Sequence, residues 1–104
     1  MPTPQALSQN EIEKRLKDLP NWKLEDKTLV WVRPFPSYLE ALEFVYQLGK
    51  AAEEADHHPD IIMNYKQVTV RYSTHSAGGI TDLDFKMAGK VDGLSSAFSE
   101  KISR

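Results

Sequence analysis

The sequence contains no cysteine among its 104 residues, which excludes a disulfide framework, a thiol nucleophile and a thiolate zinc site. It has no excess of basic charge, because 13 Lys and Arg stand against 15 Asp and Glu, so no nucleic-acid partner is expected. No run approaches the ~20 apolar residues of a membrane span, and the first residues lack the pattern of a signal peptide. These absences favour a cytoplasmic protein without a membrane partner.

The length and composition suit a single domain. Hydrophobic residues make up 40% of the chain, which is enough for one core at this length. Two prolines and no apolar pattern at the start indicate a flexible leader at 1–7. The domain is therefore expected to span 8–104.

Apolar periodicity and capping signals predict the fold class. Ser8 with Glu11 and Ser37 with Glu40 have the spacing of capping boxes and mark two helix starts. Helices are predicted at about 8–19, 37–56 and 81–104, and strands at 22–25, 28–35, 61–65 and 67–73. Two short hairpins imply antiparallel pairing. We predict a single-domain α+β sandwich of order α-β-β-α-β-β-α, with the helices on one face of a four-stranded antiparallel sheet.

Two adjacent histidines, His57 and His58, follow the end of the second predicted helix. Acidic residues at this helix end, Glu53 and Asp56, are unfavourable because the C-terminal end of a helix dipole is negative. An unfavourable local arrangement with no visible compensation is typical of a functional site. Glu53 and His57 are four positions apart, so we expect them to share a helix face if the last turn of the helix continues to His57. The alternative is a polar helix end stopped by Pro59.

His75 and Asp84 are further candidates. His75 lies on the polar, open face of the sheet if the strand at 67–73 continues to it, and is otherwise an ordinary surface histidine. Asp84 precedes Met87 by three positions on an apolar helix stripe, so we expect it to be buried. A buried carboxylate needs partners, and this one is expected either to cap the Thr81 backbone, to serve the site, or to do both.

Histidines with nearby carboxylates suit general acid–base catalysis. A metal held by the same residue types is the alternative. The two-ligand spacings of three or four positions are absent between the histidines at 57, 58 and 75, which favours proton transfer over metal binding. No nucleophile-and-base arrangement stands out.

The candidate residues resemble one family, the pterin-4a-carbinolamine dehydratases. The family's pattern is met at Glu53, His57, His58, Pro59, Tyr65, His75 and Asp84, and Ser73-Thr74-His75 is similar to the family's Ser-Thr-His segment. The resemblance implies the dehydration of 4a-hydroxytetrahydropterin to quinonoid dihydropterin, which recycles the tetrahydrobiopterin-type cofactor, with no metal and no cofactor of the enzyme's own.

The resemblance also implies roles for individual residues. His57 and His75 would form the acid–base pair, His58 would bind the substrate, and Glu53 and Asp84 would orient the imidazoles. The pterin would be held by residues of two segments: Asp56, His57, His58, Ser73, Thr74, His75 and Ser76.

Some members of the family bind a transcription factor, so a non-catalytic coactivator module is the alternative function. The resemblance places oligomer contacts on the second helix, where Leu39, Phe44 and Tyr46 lie off the main apolar stripe. We therefore expect these three side chains to be exposed and to join subunits of a homodimer or homotetramer. Nothing in the sequence indicates a transcription-factor partner.

Overall fold

The computed structural model describes residues 5–102, with side chains through Phe98. Its elements follow the predicted order α-β-β-α-β-β-α. They are α1 (Gln9–Leu16), β1 (Trp22–Glu25), β2 (Thr28–Pro34), α2 (Tyr38–Ala55), β3 (Asp60–Asn64), β4 (Gln67–Tyr72) and α3 (Asp82–Ile102). A single 3₁₀ turn, His75–Ala77, lies between β4 and α3.

The two hairpins assemble into one antiparallel sheet of strand order β1-β2-β4-β3. In the central pair, Leu29 lies opposite Tyr72 and Trp31 lies opposite Val70. These four side chains face the helices and are buried, whereas Val32, which alternates to the other face, is exposed. The α+β sandwich with its helices on one side is thus confirmed.

Both predicted capping boxes form. The Ser8 hydroxyl accepts a hydrogen bond from the Glu11 amide at 3.2 Å, and Ser37 accepts one from the Glu40 amide at 3.2 Å. The first helix ends at Leu16, earlier than expected, because the following amides bond three residues back in a tight turn.

The apolar face of α2 differs from the expectation at one position. Phe44 is fully buried, so its predicted exposure was wrong. Its ring packs against Trp31 and Phe35, with centroid separations of 5.3 and 4.9 Å. Phe44 lies three positions after Ala41 and four before Leu48, both buried, so helix periodicity places its ring on the core-facing side of α2. Leu39 and Tyr46 are exposed as expected.

The start of the described chain contacts the core. Leu7, within the predicted leader, packs on the core, and its amide donates to the Ile80 carbonyl at 2.7 Å. Residues 1–4 of that leader lie outside the described residues, as does the side chain of Ile102 in the helix predicted at 81–104. Within 5–102, none of the helices combines the length and apolar character that a membrane crossing requires.

Candidate active site

The C-terminus of α2 sets the direction in which the two adjacent histidines leave the helix. Asp56 adopts the left-handed conformation, with φ 52° and ψ 43°, and its amide bonds to the Ala52 and Glu53 carbonyls. The His57 amide also bonds to the Ala52 carbonyl, at 3.1 Å. This pattern closes the last turn and ends the helix at Ala55, two residues before His57.

His57 is held from two sides. Its Nε2 lies 2.6 Å from Oδ1 of Asp84, and the side chains are 12% and 0% exposed. The ring also packs against Tyr72 at a centroid separation of 5.2 Å, and the Tyr72 hydroxyl donates to the His57 carbonyl at 3.0 Å. The imidazole therefore has a fixed orientation at the junction of α2, β4 and α3.

Asp84 serves both the helix and the histidine. Its Oδ2 accepts hydrogen bonds from the Thr81 amide at 2.9 Å and from the Thr74 hydroxyl at 2.8 Å, while Oδ1 faces His57. The Thr81 hydroxyl accepts from the Leu83 amide, so Thr81 is the N-cap of α3. The expected burial and capping are confirmed, and the same carboxylate also reaches the imidazole.

His58 forms a second imidazole–carboxylate pair at the surface. Its Nε2 lies 2.6 Å from Oε2 of Glu53, with the side chains 54% and 78% exposed. The expectation that Glu53 and His57 share a helix face required the last turn to continue to His57, and it was wrong. The left-handed Asp56 ends the helix first, so the four-residue spacing no longer describes the geometry at His57.

His75 does not extend the sheet. The strand ends at Tyr72, the bridge between Thr74 and Gly79 turns the chain back, and His75 begins the 3₁₀ turn. Its side chain is exposed, and no hydrogen bond joins it to another described residue. The placement of His75 on the open sheet face was therefore wrong.

The remaining predicted pterin-binding residues lie near these elements with different exposure. Asp56 and Ser76 are exposed and Ser73 is half-buried, whereas Thr74 is buried against Asp84. The structure thus joins His57, Asp84 and Thr74 by direct contacts.

Comparison with known proteins decides the family. A model of the family described as pterin 4 alpha carbinolamine dehydratase matches residues 5–94. The chain belongs to this family. A relative from Trichodesmium erythraeum, whose name assigns it to pterin-4-alpha-carbinolamine dehydratase, is 40% identical over 91 residues, covering 88% of this chain and 98% of that one. One from Sulfolobus acidocaldarius with the same name is 40% identical over 86 residues, covering 83% and 94%.

Two solved structures resemble this pterin dehydratase family member. A transcriptional coactivator/pterin dehydratase from Brucella melitensis is 33% identical, with a TM-score of 0.83 over 86% of this chain and 98% of that one. A pterin dehydratase-like protein identified as a RuBisCO assembly factor in the α-carboxysome is 23% identical, with a TM-score of 0.59 over 71% and 86%. The second likeness supports the fold alone.

The aromatic residue of the family pattern, Tyr65, lies apart from the two imidazole–carboxylate pairs. Tyr65 is exposed in the β3–β4 turn with φ 56° and stacks on Tyr38 at a centroid separation of 6.2 Å.

A groove of about 360 Å³ lies between α2 and α3. None of the paired histidines lines it; its lining residues are Ala51, Glu54, Ala55, Lys86, Met87 and Lys90. Within the described part of the chain, no three His, Asp or Glu side chains cluster closely enough to hold a metal ion.

Sequence reasoning assigned no site role to Tyr72. Alternation with Val70 along β4 puts Tyr72 on the buried face. A buried tyrosine hydroxyl usually has a hydrogen-bond partner, and this was the signal available in the sequence. Burial raises the pKa of the Tyr72 hydroxyl, and the nearby Asp84 carboxylate raises it further. The hydroxyl therefore stays protonated and continues to donate to the His57 carbonyl at neutral pH.

Proposed function

We propose that this family member removes water from 4a-hydroxytetrahydropterin to give quinonoid dihydropterin by histidine acid–base catalysis. The observation that carries the proposal is the buried His57–Asp84 pair, with its 2.6 Å contact. A carboxylate that fixes an imidazole prepares it for proton transfer, and a positioned acid or base contributes about 10²–10⁴-fold to a rate. The family match and the names of the relatives support the substrate class.

The reaction suits such residues. The C4a–O bond breaks and a double bond forms between C4a and an adjacent ring nitrogen. The departing oxygen has to receive a proton because hydroxide is a poor leaving group, and the ring nitrogen has to lose one. One general acid and one general base complete these transfers, so the stoichiometry requires neither a metal ion nor an organic cofactor.

We assign His57 and His75 to the acid–base pair and His58 mainly to substrate binding. Asp84 fixes His57, and the chain continues from its partner Thr74 directly to His75. Glu53 orients His58 in the same way at the surface.

The pterin ring presents several hydrogen-bond donors and acceptors, so it needs polar groups around it. The exposed side chains of Asp56 and Ser76 and the half-buried Ser73 can offer them. We propose that these residues hold the ring between the α2 terminus and the 3₁₀ turn.

The exposed apolar side chains of α2 favour association with a second protein surface. Leu39, Leu42 and Tyr46 are exposed on this helix, and we propose that they join a homodimer or homotetramer in the cytoplasm. The same surface supports the second candidate function, a non-catalytic interaction module. The name of the Brucella melitensis protein includes both coactivator and dehydratase.

The test is dehydration of synthetic 4a-hydroxytetrahydropterin, followed by stopped-flow absorbance with the protein and with buffer alone. We expect the protein to accelerate the reaction, with an unchanged rate after EDTA treatment. No acceleration over buffer would remove the dehydratase proposal and leave the interaction module. A rate lost in EDTA and restored by zinc would contradict the metal-free reaction.

A further inference from the structure

The hydrogen bonds around Asp84 form a chain whose direction can be worked out. The Thr74 hydroxyl contacts both Oδ2 of Asp84, at 2.8 Å, and the Thr81 hydroxyl, at 2.9 Å. Thr74 has one hydroxyl hydrogen, and an ionised carboxylate can only accept, so Thr74 donates to Asp84. The Thr81 hydroxyl then donates to Thr74, while its own oxygen accepts from the Leu83 amide at 3.2 Å.

All of these donors converge on one carboxylate. Oδ2 of Asp84 receives both the Thr74 hydroxyl and the Thr81 amide, and Asp84 and Thr81 are fully buried. As an ionised carboxylate, Asp84 only accepts hydrogen bonds, so the 2.6 Å contact at Oδ1 takes its hydrogen from Nε2 of His57. In a neutral imidazole the other nitrogen then carries no hydrogen.

We propose that Thr74 and Thr81, acting through Asp84, hold the proton of neutral His57 on Nε2 and so make Nδ1 the atom that exchanges a proton with the substrate. This rests on the proposed dehydratase function. Thr74 is thereby a positioning residue, in contrast to the substrate-binding role that the family resemblance implied. It is buried, and its single hydroxyl hydrogen is used by Asp84.

The Tyr72 contacts agree with this assignment. The Tyr72 ring packs against the imidazole, and its hydroxyl holds the His57 carbonyl at 3.0 Å. The His57 carbonyl, its ring face and its Nε2 are thus each in contact with another residue of the protein. No hydrogen bond engages Nδ1 within the described residues, which leaves that nitrogen for a ligand.

The first test is the tautomer of His57, read from the ¹⁵N and ring ¹H shifts of the wild-type protein without substrate, above the pH at which the imidazole loses its charge. We expect the Nε2–H form. A neutral His57 with its hydrogen on Nδ1 would overturn the proposal. This measurement needs neither a variant nor an active protein. A protein without dehydratase activity would refute the proposed function, and the NMR shifts would still decide the tautomer of His57.

The second test compares Thr74→Val, which removes the hydroxyl at similar volume, with Thr74→Ser, which retains it. Thr74→Val removes one of the two donors that hold Oδ2, so the Asp84 carboxylate is free to turn away from Nε2 of His57. We therefore expect a mixture of His57 tautomers and a kcat lowered about 10–100-fold, the range seen when a group that orients a metal-bound imidazole is removed, with KM changed less than about twofold. Thr74→Ser should retain the wild-type tautomer and most of kcat. A raised KM with unchanged kcat in Thr74→Val would show that Thr74 binds the substrate and would overturn the proposal.

Discussion

Two imidazole–carboxylate pairs in this protein have the same separation and different surroundings. His57 and Asp84 meet at 2.6 Å with side chains 12% and 0% exposed, and His58 and Glu53 meet at 2.6 Å with side chains 54% and 78% exposed. The carboxylate of the first pair is additionally held by Thr74 and by the Thr81 amide. No further hydrogen bond from a described residue holds the Glu53 carboxylate.

The difference shows that the distance between imidazole and carboxylate does not by itself determine how much each pair contributes to stability or catalysis. An exposed ion pair contributes about 0–1 kcal/mol because water screens it and the side chains lose rotational freedom. A buried carboxylate cannot exchange its partners for water, so removing one leaves a polar group unsatisfied at about 1–3 kcal/mol. We therefore expect the buried pair to control proton transfer and stability, and the exposed pair to influence mainly binding.

The largest expected effect comes from Asp84→Asn. The asparagine amide keeps the shape of the side chain, but its NH₂ group is a donor where the carboxylate had only acceptors. That NH₂ group then lies against another donor, on His57, Thr74 or Thr81, and the hydrogen bond is lost. We expect kcat to fall about 10²–10⁴-fold. The free energy of unfolding should also fall, by about 1–3 kcal/mol, measured by urea titration.

The matched control is Asp82→Asn, also in the first turn of α3. Asp82 is exposed and pairs with Arg15 at 2.7 Å. We expect its kcat to be unchanged and its stability to shift by less than about 1 kcal/mol. Equal losses of kcat in both variants would show that the buried position of Asp84 has no special role.

Glu53→Gln is expected to have a smaller effect on the same assay. The exposed pair with His58 is lost, but water replaces the contact, so kcat should stay within about threefold of wild type and stability within about 1 kcal/mol. KM should rise because His58 loses the group that orients it. Glu54→Gln, also exposed at the same helix end, is the control and should leave KM unchanged. A loss of kcat as large as that of Asp84→Asn would contradict the ranking of the two pairs.

Tyr72→Phe gives the smallest expected effect, and it depends on pH. Because burial raises the pKa of the Tyr72 hydroxyl above its unfolded value of about 10, its contribution is complete below that pH and is lost as pH rises further. The Tm of wild type should therefore fall more steeply above about pH 10 than the Tm of Tyr72→Phe. At pH 7 the variant should be less stable by about 1 kcal/mol, because the bond to the His57 carbonyl is lost.

Tyr46→Phe serves as the control because Tyr46 is exposed. It should follow the wild-type curve over the whole pH range. Parallel curves of Tm against pH for Tyr72→Phe and wild type would contradict a buried, protonated Tyr72 beside His57.

Local signals in the sequence were sufficient for the fold. The capping serines at 8 and 37 and the alternation in 67–72 report on neighbours a few positions away, and those elements lie where expected. The exposure predicted for Phe44 was wrong because we assigned the residue to the outer face of α2, whereas its spacing of three from Ala41 and four from Leu48 puts it on the buried face.

The site could be predicted as a set of residues but not as a set of pairs. Asp84 was expected to be buried and to have a second role, because a carboxylate on an apolar stripe needs partners. Its contact with His57 joins residues 27 positions apart, which no helix or strand period encodes. Glu53 pairs with His58 because the left-handed conformation of Asp56 ends the helix, and His75 lies outside the strand because it begins a 3₁₀ turn. Both features depend on backbone angles at single residues, which the sequence pattern does not report.

The most direct measurement of the central claim is kcat and KM for His57→Ala beside His58→Ala, with 4a-hydroxytetrahydropterin as substrate. The account predicts that His57→Ala loses about 10²-fold or more in kcat, whereas His58→Ala retains kcat within about threefold and shows a raised KM. Equal losses of kcat, or a larger loss at His58, would contradict the claim that the buried pair carries the chemistry.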